Sequence, residues 1–167
     1  SGMAAMADGV VLQSSGSGLG YGPMNAQVIP SGAVSLGANP QGLITIQRTD
    51  GGWQDYVATS TKIRLLTSAY DWTDIETGRT VTTDDDVSFA VFGNYLLNAD
   101  TTDGFKAYNY ESGGTNDAVT GNGAPTAVRA ICVCNNVVFL LDCDGNNRRM
   151  ESSAQGDHTN WTTGGAD

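Results

Sequence analysis

From Gly42 onward the chain is written in short runs of strand-forming residues broken by turn residues. GLITIQR (Gly42–Arg48), the turn Thr49-Asp50-Gly51-Gly52 and WQDYVAT (Trp53–Thr59) form a hairpin pattern, an Asp-Gly turn between two β-rich runs. KIRLL (Lys62–Leu66) follows a polar turn. A second set reads VSFAVF (Val87–Phe92), Gly93-Asn94, YLLNA (Tyr95–Ala99), the turn Asp100–Gly104, then FKAYNY (Phe105–Tyr110). A third reads AVRAICVC (Ala127–Cys134), Asn135-Asn136, VVFLLDC (Val137–Cys143), the turn Asp144–Asn147, then RRMESS (Arg148–Ser153). The 3.6-residue spacing of an amphipathic helix is nowhere sustained, so the pattern predicts an all-β chain.

The sets repeat. In each, a strand ends in a short turn, an apolar strand follows, and a polar turn leads to a less apolar strand. Tyr56, Tyr95 and Val137 occupy equivalent places, 39 and 42 residues apart, and a Trp-Thr pair follows the unit twice, at Trp72-Thr73 and Trp161-Thr162. A β-repeat of this period is that of a propeller blade, a sheet that cannot bury both faces alone and needs neighbours stacked on it. Residues 42–167 supply about three antiparallel blades, whereas a closed ring needs at least about four. A partial propeller is therefore expected, either as a piece of a larger protein or in rings built from several chains.

Residues 1–41 have a different texture. SSGSGLGYGPMN and PSGAVSLGANPQG are rich in Gly, Ser and Pro and predict an irregular, extended arm, with Ser1-Gly2-Met3 reading as a tag remnant ahead of an internal start. The 22 glycines and a charged fraction of 16%, against about 25% in ordinary soluble domains, suit a turn-rich β protein. The net charge of −10, with Arg148-Arg149 as the only adjacent basic pair, argues against a phosphate-binding surface and so against nucleic-acid wrapping. No long apolar run or secretory leader is present. Of three cysteines, Cys132 and Cys134 share one face of a strand and are poorly placed to bridge each other; the reading is buried free thiols made in a reducing cytoplasm.

The candidate chemistry is thin. Asp142-Cys143-Asp144-Gly145-Asn146-Asn147 has the look of a calcium loop, but from Asp142 the sixth position is Asn147 rather than Gly and the twelfth is Ser153 rather than Glu. It falls where the preceding repeat has its own polar turn, which favours a hairpin turn. His158, the only histidine, lies in GDHTNW and reads as an exposed turn residue; no Ser has a nucleophile-elbow context to use it. Its spacing from the cysteines fits no zinc pattern. Asp84-Asp85-Asp86 offers paired carboxylates for glycoside chemistry but reads first as an acidic loop before a strand. The Gly-rich SGSGLGYG lacks the flanking strand and helix of a dinucleotide site, and Asn160-Trp161-Thr162 reads as a chance sequon. No catalytic, cofactor-binding or metal residue is assigned, and the expectation is a non-enzyme without cofactors.

The repeats also carry a resemblance. YVATSTKIRLL…WTDI, DDVSFAVFGNYLLNADTTDGFKAYNY and APTAVRAICVCNNVVFLLDCDGNNRRMESSAQGDHTNWT resemble the β-propeller tail hub, or packaged-DNA stabilisation, proteins of short-tailed bacteriophages and the related tail accessory and nozzle proteins. The match runs from about Gly51 to Trp161. Its strongest parts are Ala124-Pro125…Arg129, Phe89…Phe92-Gly93 and Asn147-Arg148…Ser152…Gly156-Asp157…Trp161. Where that family has large aromatics, this chain has Glu151 and Val87, which alters blade packing or an interface.

The resemblance implies a phage or prophage virion structural protein with no residue doing chemistry. It would be made in the bacterial cytoplasm and used in the tail. Its partners would be portal, adaptor and tail proteins, with six copies around the tail axis, and neither membrane nor specific nucleic acid. An acidic wall suits a conduit that must not hold DNA tightly. Trp53, Trp72, Phe89, Phe92, Arg129, Arg148 and Trp161 are the structural and interaction candidates. A scaffold should bury at least two of the three tryptophans between blades. The alternative, a carbohydrate- or receptor-binding propeller, should leave Trp53, Trp72 and Trp161 facing solvent at one end. A propeller glycosidase would need two carboxylates converging on one pocket.

Overall fold

A computed structural model describes residues 10–15, 18–23, 35–67, 71–82 and 85–161. Ser1-Gly2-Met3, Ser17, Asp84 and Thr162-Thr163 lie outside the described residues. The chain divides into two compact units, Ser1–Ala33 and Val34–Asp167. Among the described residues every regular element is a strand, and no helix is long and apolar enough to cross a membrane.

In the first unit, β1 (Val10–Ser15) and β2 (Gly18–Pro23) pair antiparallel, from Val10 opposite Pro23 to Ser15 opposite Gly18. The expected irregular arm is a hairpin over this stretch. VVLQ supplies strand formers, and only Gly16-Ser17 separates the two strands, the loop length that hairpins favour.

The second unit holds three antiparallel meanders. The first sheet is β3 (Pro40–Gln47), β4 (Trp53–Thr59), β5 (Lys62–Leu66) and β6 (Trp72–Thr77), neighbours in that order. The second is β7 (Ser88–Phe92), β8 (Tyr95–Asp100), β9 (Gly104–Asn109) and the short β10 (Asp117–Ala118). The third is β11 (Val128–Cys134), β12 (Val137–Cys143) and β13 (Asn146–Ser152). The hairpins close on residues that tolerate a left-handed backbone. Asn135 and Asn136 have φ of 49° and 61°, and Asp144 and Gly145 have 53° and 77°, the paired positive values that a type I′ turn requires. Asp142-Cys143-Asp144-Gly145-Asn146-Asn147 is thus the β12–β13 hairpin. Asp142, at φ 56°, sits where the register slips between Leu141 and Cys143 and bends the strand.

The core lies between the sheets. Ile46 and Tyr56 of the first sheet pack with Leu96 and Tyr108 of the second, the Tyr56 and Tyr108 rings meeting edge-on at 6.1 Å. On the other side of the second sheet, Phe92, Leu97, Ala99 and Phe105 pack with Val128, Ile131, Val138 and Leu140 of the third. Strand alternation explains both layers: Leu96 and Leu97 are each fully buried yet face opposite ways. The second sheet is covered on both faces. Its first strand, β7, lies beside both β3 and β11.

Two glycines permit this approach. A Cβ on Gly42 in β3 would collide with the Val87 carbonyl oxygen, and one on Gly104 in β9 with that of Thr126. Backbone bonds fasten the same places, Val87 N–H donating to the Gln41 carbonyl at 2.9 Å. Gly104 combines this crowding with φ +80°, whereas Gly51, at φ +85°, faces open space. Gly104→Ala should therefore lower stability by about 3 kcal/mol, against about 1 kcal/mol for Gly51→Ala. Urea midpoints of the two variants at constant m-value test this; equal shifts would mean that the sheets yield without cost.

Candidate functional site

The densest polar arrangement lies between the first and second sheets. Arg79, in the connection from β6 to β7, has a fully buried side chain. Its guanidinium pairs with Glu76 at 2.6 Å and with the fully buried Asp100, and donates to Asn98 Oδ1 at 3.4 Å. Lys106 pairs with the other oxygen of Glu76, while Asn116 donates to Glu76 Oε2 at 2.8 Å. Asn98 donates in turn to Asn116 Oδ1 at 2.8 Å. Two cations thus face two anions, the condition under which buried charge is tolerated. Asp100 also accepts the Thr102 and Asp103 amides at 2.8 and 2.6 Å, which shapes the β8–β9 turn.

The turns then grip the connections. Asp103 accepts the Thr80 amide at 2.9 Å. One repeat later Asp144 Oδ1 accepts the Thr126 amide, the Thr126 hydroxyl and the Ala127 amide at 2.8, 2.9 and 3.1 Å. Burial on its own would raise the Asp144 carboxyl, but these bonds and the Arg149 guanidinium outweigh it and hold the group below the usual carboxylate range. In both repeats a turn carboxylate holds the segment leading into its own sheet.

Beside the Asp144 turn is a polar cleft of about 700 Å³, lined by Thr101, Arg129, Asp142 and Asn147. Arg129 Nε bonds Asp142 at 2.8 Å, and its Nη1 lies 3.9 Å from Asp85, whose other oxygen accepts the Thr101 hydroxyl. Asp85 and Asp142 therefore converge on a guanidinium. Among the described residues no group of three or more His, Cys, Asp and Glu could hold a metal ion.

The residues singled out from sequence are dispersed. Trp161 is 3% exposed, meets Phe105 edge-on at 5.6 Å and donates its indole N–H to the His158 carbonyl at 3.1 Å. Trp53 is 66% exposed and Trp72 is half-buried, so only one tryptophan is fully buried, and the three do not share one solvent-facing end. Phe92 is buried toward the third sheet and Phe89 packs toward the first. Arg129 lines the cleft, while Arg148 is exposed on β13 with its amide bonded to Asn146 Oδ1 at 3.1 Å.

Two readings are corrected. Cys132 and Cys134 do share a strand face, but it is the outer one and both are exposed; Cys143 alone is buried, which pushes its thiol up to about 11. The apolar neighbours of β11 lie on both faces, so alternation could not say which side was covered. His158 is half-buried rather than free in a turn, its ring 4.4 Å from that of Tyr95 and 5.6 Å from that of Phe92. Sequence reasoning missed the Arg79 network, whose one visible signal is an Arg in a short connection followed by an Asp closing a strand.

Replacing Arg79 by Met leaves Asp100 buried without its cation and should cost about 3–5 kcal/mol. Adding Asp100→Asn, which keeps the acceptor for the two turn amides, should recover part of that loss in chemical denaturation; strictly additive losses would show that the two groups do not interact. Burial lowers the His158 pKa, so the unfolded chain takes up a proton first. The His158 contribution is complete above the unfolded value of about 6.5 and is lost as pH falls through the lower folded value. Unfolding free energies at pH 7.5 and 5.5 should differ less in His158→Phe than in the parent chain. Compared with models of protein families, with curated proteins and with solved structures, the chain matches none.

Proposed function

We propose that this chain is a structural, protein-binding component of a short-tailed bacteriophage or prophage tail. It is a hub or adaptor element of β-propeller blades that binds the portal–tail assembly and helps close or extend the DNA exit channel. The observation that carries the blade reading is the meander repeated in sequence order, with β7 set between β3 and β11 as the innermost strands of successive blades would be. The tail assignment leans on the sequence resemblance, above all Ala124-Pro125…Arg129 and Gly156-Asp157…Trp161. One of these residues has structural work that suits such a motif. Trp161 closes the layer between the second and third sheets, and its amide bonds the Asn122 carbonyl just before Ala124-Pro125.

The charge pattern fits a passive wall. Arg129 is tied to Asp142, and Arg149 to Asp144 and Glu151, which leaves little clustered positive charge to hold phosphates. Rigidity is the function in this reading: buried ion pairs and close backbone approaches resist shear between sheets.

A second reading, a carbohydrate- or receptor-binding tail propeller, draws on one observation. Trp53 is exposed on the same side of the first sheet as Leu43, itself 69% exposed and four residues along the pairing, where an indole can stack on a sugar.

Quantitative mass spectrometry of particles purified from the source separates the two. The tryptic peptide Thr80–Lys106 should occur in a fixed small-integer ratio to portal subunits. Its absence from particles rejects the tail role. Saturable binding on a glycan array that is lost in Trp53→Ala would replace the scaffold by the sugar binder.

A further inference from the structure

The strand registers sort every side chain of the three sheets by face. Toward the following sheet the first presents Tyr56 and Ala58, and the second Tyr95, Leu97 and Ala99. In the third sheet the equivalent positions are Val137, Phe139 and Leu141. Phe139 lies opposite Cys132, Leu141 opposite Met150, and Val137 opposite Cys134, so these six share one face. Nothing among the described residues covers it: Cys132, Cys134, Leu141 and Met150 are exposed, the last two at 38% and 44%. The same face in each earlier sheet is buried under its successor.

The first sheet is partly open on its other side: Leu43 and Trp53 are 69% and 66% exposed, whereas Leu66 and Trp72 are half-buried and Val57 is covered. Its side away from the second sheet carries Leu43, Trp53, Leu66 and Trp72, related by direct cross-strand pairing of Gln47 with Trp53, Thr45 with Asp55, Asp55 with Leu66, and Leu66 with Trp72. This side corresponds to the one that the second sheet buries against the first through Leu96 and Tyr108, and the third against the second through Val138 and Leu140. Each sheet-to-sheet contact inside the chain joins one face of each type. Among the described residues one face of each type remains at least partly open, at opposite ends of the stack.

From this pairing we infer that the occupant of the open face on the third sheet is the first sheet of a second copy of this chain, docked head to tail. The inference rests on the blade reading above and does not depend on the tail assignment. Such a contact is heterologous, so it either closes a ring or grows without limit. Two copies of the three meanders, the β1–β2 hairpin apart, bring six blades, within the 4–8 of known propellers, whereas three copies bring nine; a closed ring of this chain alone is therefore a pair. Large apolar patches left on a soluble chain mark such contacts.

The test uses the full chain and two charge-bearing variants at exposed positions, Leu43→Asp and Leu141→Asp, each shown to be folded by circular dichroism and thermal melting. Sedimentation velocity should give a concentration-dependent dimer for the parent chain and a monomer for each variant alone. An equimolar mixture of the variants should recover a weaker dimer, because one of its two contacts is then intact. A face-to-face contact of like surfaces predicts no such rescue and overturns the inference. So does a parent chain that stays monomeric, or one that forms open assemblies growing with concentration. Should a variant fail to fold, the native thiols give an independent reading. Alkylation of Cys132 and Cys134 by iodoacetamide should slow by about tenfold or more between dilute and concentrated parent protein, following the dimer population. Equal rates overturn the inference. A parent chain that is monomeric yet present stoichiometrically in particles would reject this contact while leaving the tail role standing.

Discussion

The structure turns on one buried cation. Arg79 sits in the connection between the first two sheets, yet its guanidinium is held inside by Glu76, Asn98 and Asp100. A charge in that position is tolerable only in one geometry, because any displacement leaves carboxylates facing each other without water. The arrangement therefore adds precision more than adhesion. Apolar packing between sheets such as Tyr56 on Leu96 tolerates sliding; a guanidinium spanning Glu76 at the end of one sheet and Asp100 at the end of a strand in the next does not. Asp100 extends this constraint into the β8–β9 turn by accepting its amides, and Asp103 in that turn holds Thr80, the neighbour of Arg79. Connection and turn fix each other.

The boundary between the second and third sheets is built differently. Its layer is almost wholly apolar, from Phe92 to Leu140, and its polar fixings sit at the rim, where Asp144 holds Thr126 and Ala127 and Arg129 joins Asp85 to Asp142. The Trp161 indole completes it from beyond the last strand. One boundary is thus set by internal charge and the other by shape with a charged edge, although the sheets on either side follow the same plan.

Much of this plan was legible in the sequence. β4 and β12 lie where alternation and Gly, Asn and Asp turns put them, because each is entered from a residue that accepts a positive φ, and β5 follows the polar Ser60-Thr61 turn. β6 escaped notice because WTDIET has only two apolar residues, and a register shift between Ile63 and Arg64 opposite it breaks the alternation that marks a strand. The β1–β2 hairpin was hidden by its glycines, which read as an irregular, extended arm although only two residues separate the paired strands. The face shared by Cys132 and Cys134 could be read, but its exposure could not, since that depends on where the stack ends. Arg79 and His158 were hard to read because partners that bury them lie well away in the chain, Asp100 for one and Phe92 and Tyr95 for the other.

The double covering of the second sheet has a consequence for how such a chain can change over generations. In β8 the run Leu96-Leu97-Asn98-Ala99-Asp100 is buried on both sides, so no position in it is free to drift. In β12 one side, marked by the exposed Leu141, is turned outward, and there substitutions meet less resistance; β4 is buried on both sides from Tyr56 to Thr59. Descendants of this gene should therefore keep β8 and the second half of β4 longest while the third repeat diverges at every second residue. The likeness among the three units would fade first as a broken two-residue rhythm at the open end of the stack.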